Sequence, residues 1–192
     1  DAAEPKMGRI DSRANSAGES ARRPRDGESE RREMMTWGEF RAARPDLAEA
    51  GRALFYQFGV GLAFLSTVRV DGGPRVHPMC PVVVEDRLYA FIVPSPKRDD
   101  LLRDGRYAMH CFPPAQNEDA FYITGRAEPR DDRELRNRVA GLFFEERGTT
   151  EIPPQAAHDQ LFEFFIDSCL LTRTKGHGDW EPRHTVWRAP AE

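Results

Sequence analysis

Between Gly61 and Val93 the chain reads "GLAFLSTVRVDGGPRVHPMCPVVVEDRLYAFIV", short apolar runs separated by turn chemistry. The runs are too short for amphipathic helices, and "DGGP" and "EDR" interrupt them where hairpins turn. This stretch is therefore two consecutive antiparallel hairpins, whose edges must be paired or covered. Two more strand-like runs, "RYAMHCF" and "AFYITGRAEP", follow across the polar loop "PPAQNED" and bring the strands to five. "LFEFFIDSCLLTRT" and "HTVWRA" close the set across the Gly-rich loop "KGHGDWEP". Sequential hairpins with inserted helices point to a mainly β chain with α, a small antiparallel barrel with flanking helices.

The helices carry their own signals. Thr36 and Glu39 have capping-box spacing, and Phe40, Leu47, Ala50, Leu54, Phe55 and Phe58 recur at helical period up to Gly59, with a break expected at Pro45. Asp131 and Glu134 repeat the spacing ahead of Leu135, Val139, Leu142 and Phe143, a helix ending near Gly148. Ahead of all this, Asp1 to Glu33 is dense in Arg, Glu, Ser, Gly and Asp with almost no large apolar residue, so it buries too little to offset ordering entropy. Residues 1–35 are expected to be a disordered N-terminal extension, with Met34-Met35 standing just before the first structured segment, and residues 36–192 to be one domain.

Composition narrows the function. At 192 residues, 39% hydrophobic and 31% charged, the chain suits a single domain with a real core. A net charge of -4 gives no basic field of the kind that draws nucleic acid. Cys80, Cys111 and Cys169 are too few and too scattered for a disulfide framework or a CxxC metal knuckle. No apolar run is long enough to span a membrane, and no signal-peptide core is visible. A cytoplasmic protein with reduced thiols and neither nucleic-acid nor membrane partners is expected.

Several chemistries drop out on spacing. In an extended strand His77 and Cys80 point to opposite faces and could share a metal only if Pro78 breaks the strand; His110-Cys111 fails likewise, so no metal site is expected. There is no G-x-S-x-G elbow, no G-x-G-x-x-G and no Walker loop. What remains is "SPKRDDLLRDG". Ser95 is suited to the N-cap and Pro96 to the first helical position, with the helix closing at Gly105. Lys97 and Arg98 then occupy the positive end of the macrodipole, each at a cost of roughly 0.3–1 kcal/mol unless an anion is present. Taken alone, the pair is equally a solvated basic face offset by Asp99 and Asp100. Arg75, at the start of one strand, should lie near Val93, at the end of its hairpin partner, so that three cations converge on one phosphate-bearing ligand.

From Gly61 to Pro129 this order of pieces, continued by "FYITGRAE" and more loosely by "PRHTVWRAP", resembles the FMN-binding split barrels related to pyridoxamine 5'-phosphate oxidase. The resemblance implies an antiparallel split β-barrel that forms a homodimer, with FMN held between subunits and a small-molecule substrate. By that likeness Arg75, Val76, His77 and Pro78 pass alongside the flavin, Ile92 and Val93 supply backbone contacts, and Lys97 and Arg98 hold the phosphate. Trp180 and Trp187 both match a family Trp near the flavin, with Trp187 favoured; either is equally read as a capping aromatic. His77 is the nearest general acid by type, against a purely structural role. The chain departs from the B6 oxidase at Cys80, where a Lys is expected, at Ala120, where a Gln is expected, and at Arg183-His184, where the pair is adjacent. Oxidation of vitamin B6 is therefore disfavoured. A deazaflavin coenzyme or haem would keep the fold and replace the chemistry, as would a carrier or sensor without turnover. The loop "PPAQNED" and the stretch "GTTEIPPQAAHDQ" are expected on the substrate side of the cleft.

Overall fold

The computed structural model describes residues 33–191. The capping box forms as the spacing requires: Thr36 Oγ1 accepts from the Glu39 amide at 3.3 Å while the Glu39 carboxylate accepts from the Thr36 amide at 2.7 Å. It opens α1 (Trp37–Ala43), and Pro45 starts α2 (Pro45–Phe55). Eight strands follow: β1 (Ala63–Val68), β2 (Pro74–Met79), β3 (Val82–Val84), β4 (Arg87–Ile92), β5 (Arg106–Cys111), β6 (Ala120–Arg130), β7 (Gln160–Arg173) and β8 (Arg183–Arg188). Two further helices, α3 (Pro96–Arg103) and α4 (Arg133–Glu145), and a 3-10 turn (Pro154–His158) are inserted between them. The expected disorder of the extension lies, for residues 1–32, outside the described residues. Met35 already bridges Ile166 of β7, so the ladder reaches ahead of Thr36.

The strands pair antiparallel in the order β2-β1-β5-β6-β7-β4-β3. Its two end strands, β2 and β3, are successive in sequence and separated only by Cys80-Pro81, so the sheet curls until its edges nearly meet. The remaining edge of β7 is shared: β4 takes Gln160–Glu163 and β8 takes Ser168–Arg173. This division splits the barrel. At Gly125 (φ 157°), beside the register shift in β6, a side chain would overlap the Phe165 carbonyl, so only glycine lets β6 and β7 approach there.

Alternate positions fill the interior: Leu65, Met109, Ile123, Phe162, Phe164, Leu88 and Ile92 are buried together with Trp37, Phe40 and Phe55 of the N-terminal helices. Gly51 of α2 sits on the Phe121 ring, where a Cβ would collide. A second, smaller core of Val82, Val84, Tyr89, Val139 and Leu161 lies on the other face of β4 and β7, under α4. The first part of β7 is therefore covered on both faces, which explains the unbroken apolar and buried run at its start.

One sequence inference fails here. "RVHPMCPVVV" is not one strand: it breaks at Cys80-Pro81, where proline has no N–H to donate, and its halves become β2, paired to β1, and β3, paired to β4. β2 and β4 are thus not hairpin partners, and Arg75 and Val93 are not brought together at the same end of one hairpin. The α4 cap also lies one residue later than expected, since Asp132 Oδ1 accepts from the Glu134 and Leu135 amides at 2.8 and 3.0 Å.

Candidate functional site

β2 is an edge strand whose two faces differ. Val76 and Pro78 lie on the outer sheet face and are exposed; Arg75, His77 and Met79 alternate to the other. Met79 reaches the core and a cavity of about 530 Å³. That cavity lies over the outer face of β4, walled by Phe91 and Val93, by Phe143 and Phe144 of α4, and by the Ile152–Asp159 segment. Lys97, Arg133 and Arg136 bring positive charge to it, and Cys80 completes its far side.

The basic pair at the α3 start stands as expected, but its surroundings differ. Ser95 is the N-cap by backbone position, yet its hydroxyl donates to the Val93 carbonyl at 2.8 Å and makes no side-chain cap. Lys97 and Arg98 are half-buried, and neither has a carboxylate oxygen within 4.0 Å among the described residues. Arg98 donates to the His158 carbonyl at 3.3 Å, while its Nε is buried without a partner. Asp100 does not offset this pair. It turns inward, accepting from Thr67 Oγ1 at 2.9 Å and Arg75 Nε at 2.8 Å, with Arg103 at 3.6 Å. Burial pushes the Asp100 carboxyl up, but the bonds from Arg75 and Thr67 and the charge of Arg103 outweigh it and hold it below the usual range. Arg75 is thus brought to α3 across the sheet, from β2, and is engaged by Asp100 rather than standing free beside Lys97.

Ile92 is fully buried and paired with Gln160, so its side chain belongs to the barrel interior. Val93 is 48% exposed at the cavity wall. His77 is exposed on β2, across from Leu65. Trp187 is not brought to these residues. It packs on Phe40, ring centroids 5.0 Å apart, and pairs in register with Cys169 at the far half of β7 from Gln160. Trp180 is 96% exposed on the loop before β8. The "PPAQNED" loop lies against that loop rather than the cavity: the Asp119 carboxylate accepts from Arg173 and from the Thr174 amide, each at 2.7 Å.

Sequence reading missed Arg133, Arg136 and Asp159. Arg136 donates to the Asp159 and Ala156 carbonyls and lies over the Phe91 ring at 5.2 Å, pinning the 3-10 turn to β4. The mixed, Pro-containing "GTTEIPPQAAHDQ" was the available signal, without a pattern to name its residues. Among the described residues no group of three or more His, Cys, Asp or Glu is placed to hold a metal ion.

No protein-family model matches the chain, and no curated protein matches it. Solved structures do. A candidate 5-nitroimidazole antibiotic resistance protein from Bacteroides thetaiotaomicron superposes with a TM-score of 0.53 at 15% identity, over 63% of this chain and 80% of that one. A heme binding protein from Mycobacterium smegmatis gives 0.53 at 16% identity, over 76% of this chain and 59% of that one. These likenesses define the class of fold, an antiparallel split β-barrel with flanking helices. A candidate pyridoxamine 5'-phosphate oxidase from Listeria innocua shares it, at 0.52 and 16% identity over 64% of this chain and 95% of that one. The chain has the split-barrel fold of the pyridoxamine 5'-phosphate oxidase-like proteins.

Proposed function

We propose that the protein is an FMN-binding oxidoreductase acting on a small organic substrate, with the flavin held at the β2 edge between two subunits. The observation that carries this reading is the pair Lys97 and Arg98 at the start of α3, without carboxylate partners and with Arg98 Nε buried and unpartnered among the described residues. A phosphate would satisfy that orphaned donor, neutralise both charges and lie at the favourable end of the helix dipole. Lys97 and Arg98 would hold the phosphate, Val93 would face the ribityl chain, and Val76, His77 and Pro78 would border the ring system. FMN supplies the hydride or electron transfer when bound; the chain supplies anchoring, orientation and a bounded apolar cavity.

A face suited to a second copy supports the dimer. On the outer side of the sheet, register places Pro78, Phe64, His110, Tyr122, Leu170 and Val186 in one row across six strands. Phe64 stacks on Phe112 with centroids 4.2 Å apart, and Val76 and Val186 are 58% and 54% exposed. This apolar band ends at β2, the strand whose opposite face carries Arg75 and His77, so pairing would place the site in a cleft between subunits. The three cysteines are free, and no helix among the described residues is long and apolar enough to cross a membrane.

The test is an absorbance spectrum of the purified protein followed by titration with FMN, the deazaflavin coenzyme and haem. FMN uptake at micromolar or tighter affinity is the expected result. Selective uptake of haem or deazaflavin would replace the cofactor, and no uptake would return the basic pair to a solvated surface.

A further inference from the structure

The aromatic cavity beside the basic pair is lined by a single carboxylate. Asp159 stands between the 3-10 turn and β7, half-buried, and also lines the adjoining recess formed with Val93, Pro94, Phe144 and Pro153. Its backbone is occupied: the N–H donates to the Ala156 carbonyl at 3.2 Å and its own carbonyl accepts from Arg136. Its side chain accepts no hydrogen bond and has no cationic nitrogen within 4.0 Å among the described residues. The charged and titratable groups around it are Lys97 and Arg98 from α3, Arg133 and Arg136 from α4, His158 from the turn, and Cys80 across the cavity. Burial pushes the Asp159 carboxyl up against the pull of Arg136, His158, Arg98 and Lys97.

None of those cations pairs with the carboxylate directly: Arg136 is bound to two carbonyls and the face of Phe91, and Arg98 to the His158 carbonyl. That leaves Asp159 as a half-buried carboxylate lining a space walled by Phe91, Phe143 and Phe144, with no hydrogen bond to its side chain among the described residues. We infer that Asp159 is the hydrogen-bond acceptor for a second ligand in this cavity, a flat and largely apolar molecule carrying an O–H or N–H group, such as an aromatic alcohol or amine. The walls take the ring by stacking and edge contacts, and Asp159 orients it through the donor. The inference deepens the flavoprotein reading by naming the class of substrate; binding itself does not depend on FMN.

The experiment uses 4-nitrophenol, whose absorbance reports whether its O–H is retained. The full chain, with and without saturating FMN, is titrated with the dye across neutral pH, alongside Asp159→Asn. The wild type is expected to bind the dye with its O–H retained and its apparent pKa raised. Asp159→Asn, nearly the same shape, should lower that pKa by about one unit or more, since the surrounding cations then act unopposed, and weaken binding about tenfold. Dye bound as phenolate to the wild type, identical behaviour of the two proteins, or no dye binding would each overturn the inference. FMN uptake, followed separately by flavin fluorescence, should be retained or tightened in Asp159→Asn, which removes a negative charge near Lys97 and Arg98, and the melting temperature should match in the two proteins. Loss of FMN uptake with dye binding intact would overturn the flavoprotein reading alone.

Discussion

The two ends of β4 hold the same kinds of side chain and put them to different use. At its start, Arg87 and Arg130 close on Glu163, a carboxylate only 2% exposed, with Arg130 Nε donating at 2.7 Å. Nearby, Arg41 holds Asp86 at 2.8 Å and Arg138 holds Glu85 at 3.1 Å, so α1 and α4 grip the tight turn between β3 and β4. At the other end, Lys97 and Arg98 face no carboxylate within reach among the described residues, and beside them opens the cavity. Charge that is internally balanced serves the fold, whereas half-buried charge left without a partner points outward to a ligand. Arg75 makes the distinction sharper. By sequence it belongs with Lys97 and Arg98, but its bond to Asp100 puts it with the balanced group.

The largest effect should come from the balanced end. Replacing both Arg87 and Arg130 by Ala strands the Glu163 carboxylate in the interior and should cost about 3–5 kcal/mol, measured by denaturant unfolding, while the folded fraction keeps its FMN affinity. An equal loss of flavin affinity would erase the contrast. Lys97→Ala with Arg98→Ala should behave in the opposite way, weakening FMN binding by about 2–4 kcal/mol with little change in melting temperature. Unchanged affinity there would sink the phosphate assignment. Trp187→Ala should cost about 2–4 kcal/mol of stability through the cavity left beside Phe40, with flavin affinity retained, and Trp180→Ala should cost almost none. A spectral shift of bound flavin in the first variant would put Trp187 at the site, as the family resemblance implies.

Arg75→Ala should lower stability by about 1–3 kcal/mol by leaving Asp100 with Thr67 and Arg103 alone, and reduce FMN affinity less than the double variant does. An effect on flavin as large as that of Lys97 and Arg98 together would make it a third anchor. The smallest effect concerns pH. Because Asp100 is held below its ordinary value in the folded chain, its contribution is complete above the unfolded value near 3.8 and fades as pH falls through the folded one. Acid unfolding of Arg75→Ala should therefore start from lower stability and show a shallower loss below about pH 4. Parallel acid profiles for the two proteins would remove Asp100 from the account.

Local chemistry was legible without coordinates. The Thr36 and Glu39 cap, the break at Pro45, the turn between β3 and β4, and the α3 helix ending at Gly105 all depend on neighbours a few residues apart, and all formed where the residue types demanded. The resemblance supplied the split barrel. The partition of "RVHPMCPVVV" was less accessible, because an alternating run looks the same whether it pairs with one strand or divides between two. The cavity was legible only as a stretch, "GTTEIPPQAAHDQ" beside Lys97 and Val93: Phe91, Phe143 and Asp159 come from separate segments that meet only when α4 and the 3-10 turn cover β4.

By itself, then, the sequence determined the strand and helix types, the basic pair at a helix start, and the antiparallel hairpins, since propensity, capping and turn preference are short-range. Which cation is free and which is bound was decided by tertiary structure alone. Asp100 sits two residues from Arg98 and 25 from Arg75, yet it is Arg75 that it holds. On an α-helix, the direction of a side chain and the strand packed beneath it outweigh nearness in the chain.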